Sequence, residues 1–282
     1  MGMAYGDALG AAYEFLPAGL IGEPRFLAYG GEDAGTWTDD TAMAIGLAHA
    51  LQAGQWRPHV AVEEWVRWMD EDGNGIGIWT ARVLSVRPIA QIPKKALAWW
   101  LAGAPAGGNG ALMRVAPVAI AYEPEEAARI GAAQARLTHP DPVGVRPAAV
   151  WAAALSAVVR GEHVSGALVQ ALELAGRSEE EALREVENAR RGIGLVPNGD
   201  GEGCLRAAMH AVLNAGESFA GGVRAAVKVG DDTDTVGAVA GAMLGAMHGR
   251  EAIEGAEILH GWPWIARPGV PELEAVADSL LC

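Results

Sequence analysis

Apolar residues recur every three or four positions through six stretches: Ala42 to Leu51, Val60 to Met69, Pro147 to Val159, Ser178 to Arg191, Leu205 to Leu213 and Val236 to Met247. That period puts them on one face of an α-helix, and the abundance of alanine suits helices. Alternation with period two is scarce. Val115 to Ile120 is the best strand candidate, and Pro117 interrupts it. The stretches 17–36, 103–110 and 192–203 read as loops inside one domain rather than linkers between two. The pattern predicts an all-α protein, a single domain over residues 1–282, with no internal repeat.

One helix carries a further signal. Gly237, Gly241, Gly245 and Gly249 fall every four residues, a stripe without side chains that costs about 1 kcal/mol per glycine in an exposed helix. Close approach of a second helix is the usual compensation. The stretch therefore predicts a buried central helix that holds whatever lies at its N-terminus rigidly.

Two acidic segments open into such helical stretches: Thr38-Asp39-Asp40-Thr41, and Asp231-Asp232-Thr233-Asp234-Thr235. Asp or Thr at a helix start is ordinarily a cap, and one cap needs one such residue. This density of hard oxygen donors suits Mg²⁺, Mn²⁺ or Ca²⁺. From the residues alone both readings stand, because distance along the chain says little about distance in space.

With 51% hydrophobic residues over 282, the chain can bury a large core. The formal charge of −14 disfavours nucleic acid and anionic membranes as partners, although a bound cation can invert the local potential for a phosphate-bearing ligand. Cys204 and Cys282 form no framework, which argues against a thiol mechanism and for a reducing compartment. Residues Met1 to Asp7 have no signal-peptide character, and Val236 to Met247, taken as the longest bland stretch, falls short of the ~20 residues a bilayer needs. A soluble cytoplasmic monomer is expected.

Five ordered segments add a resemblance. Gly6-Asp7-Ala8-Leu9-Gly10 with Glu14-Phe15, Trp37-Thr38-Asp39-Asp40-Thr41, Gly108-Asn109-Gly110-Ala111-Leu112-Met113-Arg114-Val115-Ala116-Pro117, Thr138-His139-Pro140 and Gly230-Asp231-Asp232-Thr233-Asp234-Thr235 together resemble the ADP-ribosylglycohydrolase family, the relatives of dinitrogenase reductase-activating glycohydrolase. The resemblance runs from the first residues to about Gly249. It implies an orthogonally packed all-α domain with a dinuclear Mg²⁺ or Mn²⁺ cleft, and hydrolysis of the glycosidic bond between ADP-ribose and a modified acceptor. Such chemistry passes through an oxocarbenium-like centre that carboxylates and hard cations can serve.

By matching positions, the resemblance implies Thr38, Asp39, Asp40, Asp232, Asp234 and Thr235 as metal ligands. Glu14, in a segment expected to be helical, becomes ligand and base, and Asp39 and Asp234 join it at the reacting end. Gly108, Asn109 and Gly110 approach the pyrophosphate through backbone N–H groups, and His139 the adenosine side. Asp7 is expected to be a buried hydrogen-bond partner of a neighbouring loop. Arg114 is either a phosphate contact or a bridge between helix ends. Asp231 stands where the family has a second glycine, and so is left outside the ligand set as a cap or a solvated residue.

Other positions depart from the family or imitate something else. Gly75 stands where relatives active on ADP-ribosyl-arginine carry an aspartate, which bears on arginine specificity. The first helix is usually longer in the family, so the N-terminus is expected to be trimmed. Asp70-Glu71-Asp72-Gly73-Asn74-Gly75 imitates an EF-hand loop, but Ala81 stands where the bidentate Glu belongs; it is expected to lie beside the cleft. Glu202 or Gly203 is expected to line the cleft, and the tryptophans, Trp99-Trp100, Trp262 and Trp264 among them, mostly to serve packing, with base stacking by one of them left open. Two alternatives remain: an ADP-ribose-binding member without turnover, and a dinuclear nucleotide phosphoesterase.

Overall fold

The computed structural model describes residues 1–196, 198–254 and 270–281; Trp262, Trp264 and Cys282 lie outside them. The described helices are α1 (Gly2–Gly10), α2 (Asp39–Leu51), α3 (Pro58–Glu71), α4 (Ile78–Leu84), α5 (Ile92–Leu101), α6 (Ala116–Ala121) and α7 (Pro124–Ala135). They continue with α8 (Pro142–Val159), α9 (Val164–Leu174), α10 (Glu179–Arg190), α11 (Gly201–Leu213), α12 (Phe219–Val227), α13 (Thr233–Glu254) and α14 (Val270–Asp278). No strand occurs among the described residues, only isolated bridges such as Leu16 with Asp231 and Gly108 with Asp200. The protein is a single all-α domain.

The strand candidate at Val115–Ile120 is helix α6. Pro117 occupies the second helical position, where its missing N–H is one that no helix would use. Helix α8 starts at Pro142, capped by the Asp141 side chain on Val143 N–H, and carries Pro147 in its interior. Proline there leaves the Val143 carbonyl without its helical donor, and the start of α11 at Gly201 packs against that oxygen. Helix α8, not Val236–Met247, is the longest apolar stretch. At 18 residues it is long and apolar enough to cross a membrane, yet 72% of it is buried within the protein, as befits a core helix.

The glycine stripe meets a second one. Gly2, Gly6 and Gly10 of α1 face Gly245, Gly241, Gly237 and the Thr233–Asp234 backbone of α13, so closely that a Cβ on Gly6 would overlap the Gly237 carbonyl and one on Gly10 the Thr233 carbonyl. The Thr233 hydroxyl seals the contact by donating to Gly10 O at 2.9 Å. Gly249 is not part of it: its φ of 77° interrupts the helix, and among the described residues nothing lies within 4 Å of where its Cβ would be. This backbone-to-backbone seam brings the Gly6–Gly10 motif of α1, with Asp7, onto the acidic segment that opens α13.

Candidate active site

The N-termini of α2 and α13 point into one place, with Asp7 of α1 between them. The Asp7 carboxylate accepts from Thr38 N–H at 2.9 Å and the Thr38 hydroxyl at 2.9 Å on one oxygen. On the other it accepts from Thr41 N–H at 3.0 Å and the Thr41 hydroxyl at 2.6 Å. It thereby caps α2 from outside the helix, in place of the side-chain cap that Thr38 does not provide. Asp7 is the buried hydrogen-bond partner its motif suggests.

Around it the acids crowd. The Thr38 hydroxyl lies 2.9 Å from Asp7 Oδ1, 3.3 Å from Asp40 Oδ2 and 3.5 Å from Asp234 Oδ2, and the Thr235 hydroxyl 3.5 Å from Asp40 Oδ2. Glu14, Asp232 and Asp234 offer oxygens all within 4.8 Å of one another. The Asn109 side chain donates to Asp232 Oδ2 at 2.8 Å. So residues from both acidic segments, from Glu14 and from the glycine-rich loop share one cluster. Thr38, Asp39, Asp40, Asp232, Asp234 and Thr235 are all buried.

Burial and like charge set the electrostatics. Burial, with the charges of Asp232 and Asp7, pushes the Glu14 carboxyl up to about 7. Burial and the neighbouring carboxylates hold Asp39, Asp40 and Asp234 well above the usual range. Asp7 is pushed up to about 6 by burial, against the pull of its four hydrogen bonds.

Such a cluster calls for cations. The single Thr38 hydrogen cannot serve three carboxylate oxygens at once, and Asp40 Oδ1 is buried with no hydrogen-bond partner among the described residues. The donors are all hard oxygens, the set that Mg²⁺ and Mn²⁺ take. The residues present therefore fit a divalent metal centre.

Several expectations are corrected. Glu14 is not helical: α1 ends at Gly10, a 3₁₀ turn covers Ala11–Tyr13, and Glu14 leaves it in an extended conformation (ψ 135°). Phe15, next to it, has φ 63° and donates its N–H to Asp231 O at 2.6 Å. The Asp231 N–H returns a bond to Leu16 O at 2.8 Å. Asp231 itself has φ 62°, which explains a family glycine there, and its exposed side chain matches the solvated one of its two expected readings. The Asn109 N–H already donates to Gly199 O at 3.0 Å, so it is not free for a phosphate.

Glu202 does not line the cleft but pairs with Arg146, which also meets Glu185 at 3.0 Å. Gly203 is buried, its N–H donating to Asp200 Oδ1 at 2.7 Å in the cap of α11. In the EF-hand imitation, Asp70 still belongs to α3 and pairs with Arg87 at 3.0 Å. The loop after it does border the cluster. A Cβ on Gly75 (φ 82°) would lie 2.9 Å from Thr38 Cβ and 3.0 Å from Asp39 Oδ1. A cleft of about 350 Å³ opens beside Thr38 and Asn74, walled by Trp37, His49, Glu64 and Trp68.

Arg114 is a bridge, not a surface contact. It is fully buried, stacked 3.7 Å over the Trp65 ring, with Nε on Gln134 Oε1 at 2.8 Å and Nη2 on Thr138 Oγ1 at 2.8 Å. His139 lies beneath the glycine loop, its Nε2 about where side chains on Gly108 and Gly110 would reach, at 3.6 and 3.0 Å. What the residue types alone did not announce was the Thr138 link between them. Its only signal was the neighbouring His.

A helical domain whose two helix N-termini share a hard-oxygen cluster defines a class of all-α proteins with an acidic site fit for a divalent metal. More particularly, a profile of the ADP-ribosylglycohydrolase family matches residues 1–281, and the chain belongs to that family. Among its relatives, ADP-ribosylarginine hydrolase Tri1 of Serratia proteamaculans is 30% identical over 276 residues, covering 88% of this chain and 70% of that one. The ADP-ribosyl-[dinitrogen reductase] glycohydrolase of Rhodospirillum rubrum is 28% identical over 275 residues, covering 93% and 86%. A solved structure titled ADP-ribosylglycohydrolase-related protein complex superposes with a TM-score of 0.75 at 32% identity, covering 99% of this chain and 94% of that one.

Proposed function

We propose that this protein is a divalent-metal-dependent glycohydrolase that cleaves the bond between ADP-ribose and a modified acceptor, releasing ADP-ribose. The observation that carries the reading is the meeting of both acidic segments on the Thr38 hydroxyl, within reach of Asp7, Asp40 and Asp234 oxygens. Family membership supports an ADP-ribosylated substrate. Thr38, Asp39, Asp40, Asp232, Asp234 and Thr235 would hold two Mg²⁺ or Mn²⁺ ions. When bound, such ions orient ribose hydroxyls and acidify a water.

The chain's own groups do the rest. Glu14, which offers an oxygen within 4.8 Å of oxygens of Asp232 and Asp234, suits taking a proton from the attacking water and passing one to the leaving group. Asp39 and Asp234, ionised once cations are bound, would set negative charge at the reacting end, where an oxocarbenium-like centre develops. Gly108 and Gly110 let their loop settle against His139, and the nucleotide half would lie along this loop, with Asn109 and His139 beside it. ADP-ribosylarginine is the first acceptor to assay, since a relative at 30% identity is named for it; Gly75 against Asp39 makes serine-linked and small-molecule acceptors the next.

The test is release of ADP-ribose from an ADP-ribosylarginine protein by Asp39→Asn and Asp234→Ala variants. Loss of release with unchanged helical circular dichroism is expected. Full activity in either variant would sink the reading.

A further inference from the structure

We propose that Thr138, held by Arg114, is a positioning residue that locks His139 in the Nε2–H tautomer, so that its free edge is a hydrogen-bond donor to an oxygen of the ligand's nucleotide half. The donor role toward a ligand rests on the functional reading above; the tautomer does not.

The inference follows from counting protons. An arginine only donates, so the contact at 2.8 Å from Arg114 Nη2 makes Thr138 Oγ1 an acceptor. Thr138 is fully buried, so its own hydrogen has no solvent to go to. Its one acceptor among the described residues is His139 Nδ1 at 2.8 Å. The hydroxyl hydrogen therefore points to Nδ1, Nδ1 carries no proton, and the ring proton sits on Nε2. A doubly protonated ring would set Nδ1–H against the Thr138 hydrogen. Burial, with the Arg114 charge, works the same way and pushes His139 down to about 3.

The relay cannot simply turn around. Arg114 is fixed through Nε on Gln134 Oε1, and the Gln134 amide is itself fixed by donating to Ala111 O at 2.8 Å. The guanidinium face is covered by Trp65 at 3.7 Å. The backbone on the far side of Thr138 is held too, because Trp79 Nε1 donates to Thr138 O at 2.9 Å. Nε2 of His139 has no hydrogen-bond partner among the described residues. It faces Gly108 and Gly110, where any side chain would crowd the ring. A fixed donor beside a bare loop is what a ligand oxygen needs.

The deciding experiment is long-range ¹H–¹⁵N NMR of the histidine rings in the whole protein near neutral pH, with His139 identified by comparison with His139→Gln, alongside calorimetric titration with ADP-ribose. In the unmutated protein, before any ligand is added, His139 is expected to show an unprotonated Nδ1 and a protonated Nε2. Thr138→Val should abolish that single-tautomer signature and weaken ADP-ribose binding on the order of tenfold, the worth of one hydrogen bond. Thr138→Ser should restore both. An Nδ1-protonated or doubly protonated His139 in the unmutated protein overturns the proposal, as does Thr138→Val with unchanged spectrum and affinity. If the unmutated protein shows the expected tautomer but binds no ADP-ribose, the functional reading and the donor role fall while the tautomer lock stands.

Discussion

The Asn109 side-chain amide donates to Asp232 Oδ2 at 2.8 Å, tying the glycine-rich loop to the second acidic segment across 123 residues of sequence. Asp232 is thereby oriented by a residue of the loop where the nucleotide half is proposed to lie. Removing an outer partner of a metal-binding carboxylate typically costs ~10–100-fold in metal affinity or activity. Asn109→Ala is expected to lower kcat/KM within that range and to raise the Mg²⁺ or Mn²⁺ concentration for half-maximal rate. A metal titration of the steady-state rate checks it; an unchanged midpoint would show that Asp232 needs no such partner.

Asp7 is expected to matter for stability first. Its two oxygens accept four hydrogen bonds from Thr38 and Thr41, and an amide can accept on only one side. Asp7→Asn should therefore destabilise the fold by about 2–3 kcal/mol, the worth of hydrogen bonds to a charged group lost inside a protein. Urea unfolding in the absence of metal measures it directly.

Metal-free stability should fall as pH rises. The Glu14 carboxyl goes from 4.5 to about 7 on folding, and Asp39, Asp40 and Asp234 shift the same way. A carboxyl whose folded pKa is raised stabilises the fold fully below its unfolded value, and loses that contribution as pH climbs through the folded one. In EDTA the melting temperature is expected to drop between about pH 5 and about pH 8, with Glu14→Gln flattening part of the drop. Added Mg²⁺ or Mn²⁺ should restore the loss at the upper end. A flat profile in EDTA would argue against a cluster of strained carboxylates.

Phe15 holds φ 63° and is 72% exposed, so the side chain contributes little packing while the backbone carries left-handed strain. Phe15→Gly is expected to be more stable than Phe15→Ala by about 1 kcal/mol. Thermal or urea unfolding of the two variants decides it, and equal stabilities would mean that the strain is absorbed elsewhere.

Much of this was legible in the sequence, for physical reasons that differ from element to element. The predicted stretches lie within α2, α3, α8, α10, α11 and α13, apart from a residue or so at the ends of α10, because each carries a sustained apolar period. Helices α4, α5, α7, α9, α12 and α14 escaped; they are short, at 7 to 12 residues, although α12 is as one-sided as α3. The glycine stripe announced a close neighbour but not which one. Gly2, Gly6 and Gly10 carry the matching period, and only the fold pairs the two. Glu202 was drawn away from the cleft by Arg146, a partner 56 residues distant that no local pattern reveals. The crowding at Thr38 depends on α1 and α13 packing backbone to backbone, so neither acidic segment could disclose it alone.

The most direct test is release of ADP-ribose from an ADP-ribosylated acceptor with and without divalent metal. Release is expected to stop in excess EDTA, to return when Mg²⁺ or Mn²⁺ is restored, and to remain absent in Asp234→Ala under either condition. Undiminished release in EDTA would contradict the claim that the acidic cluster works as a metal centre.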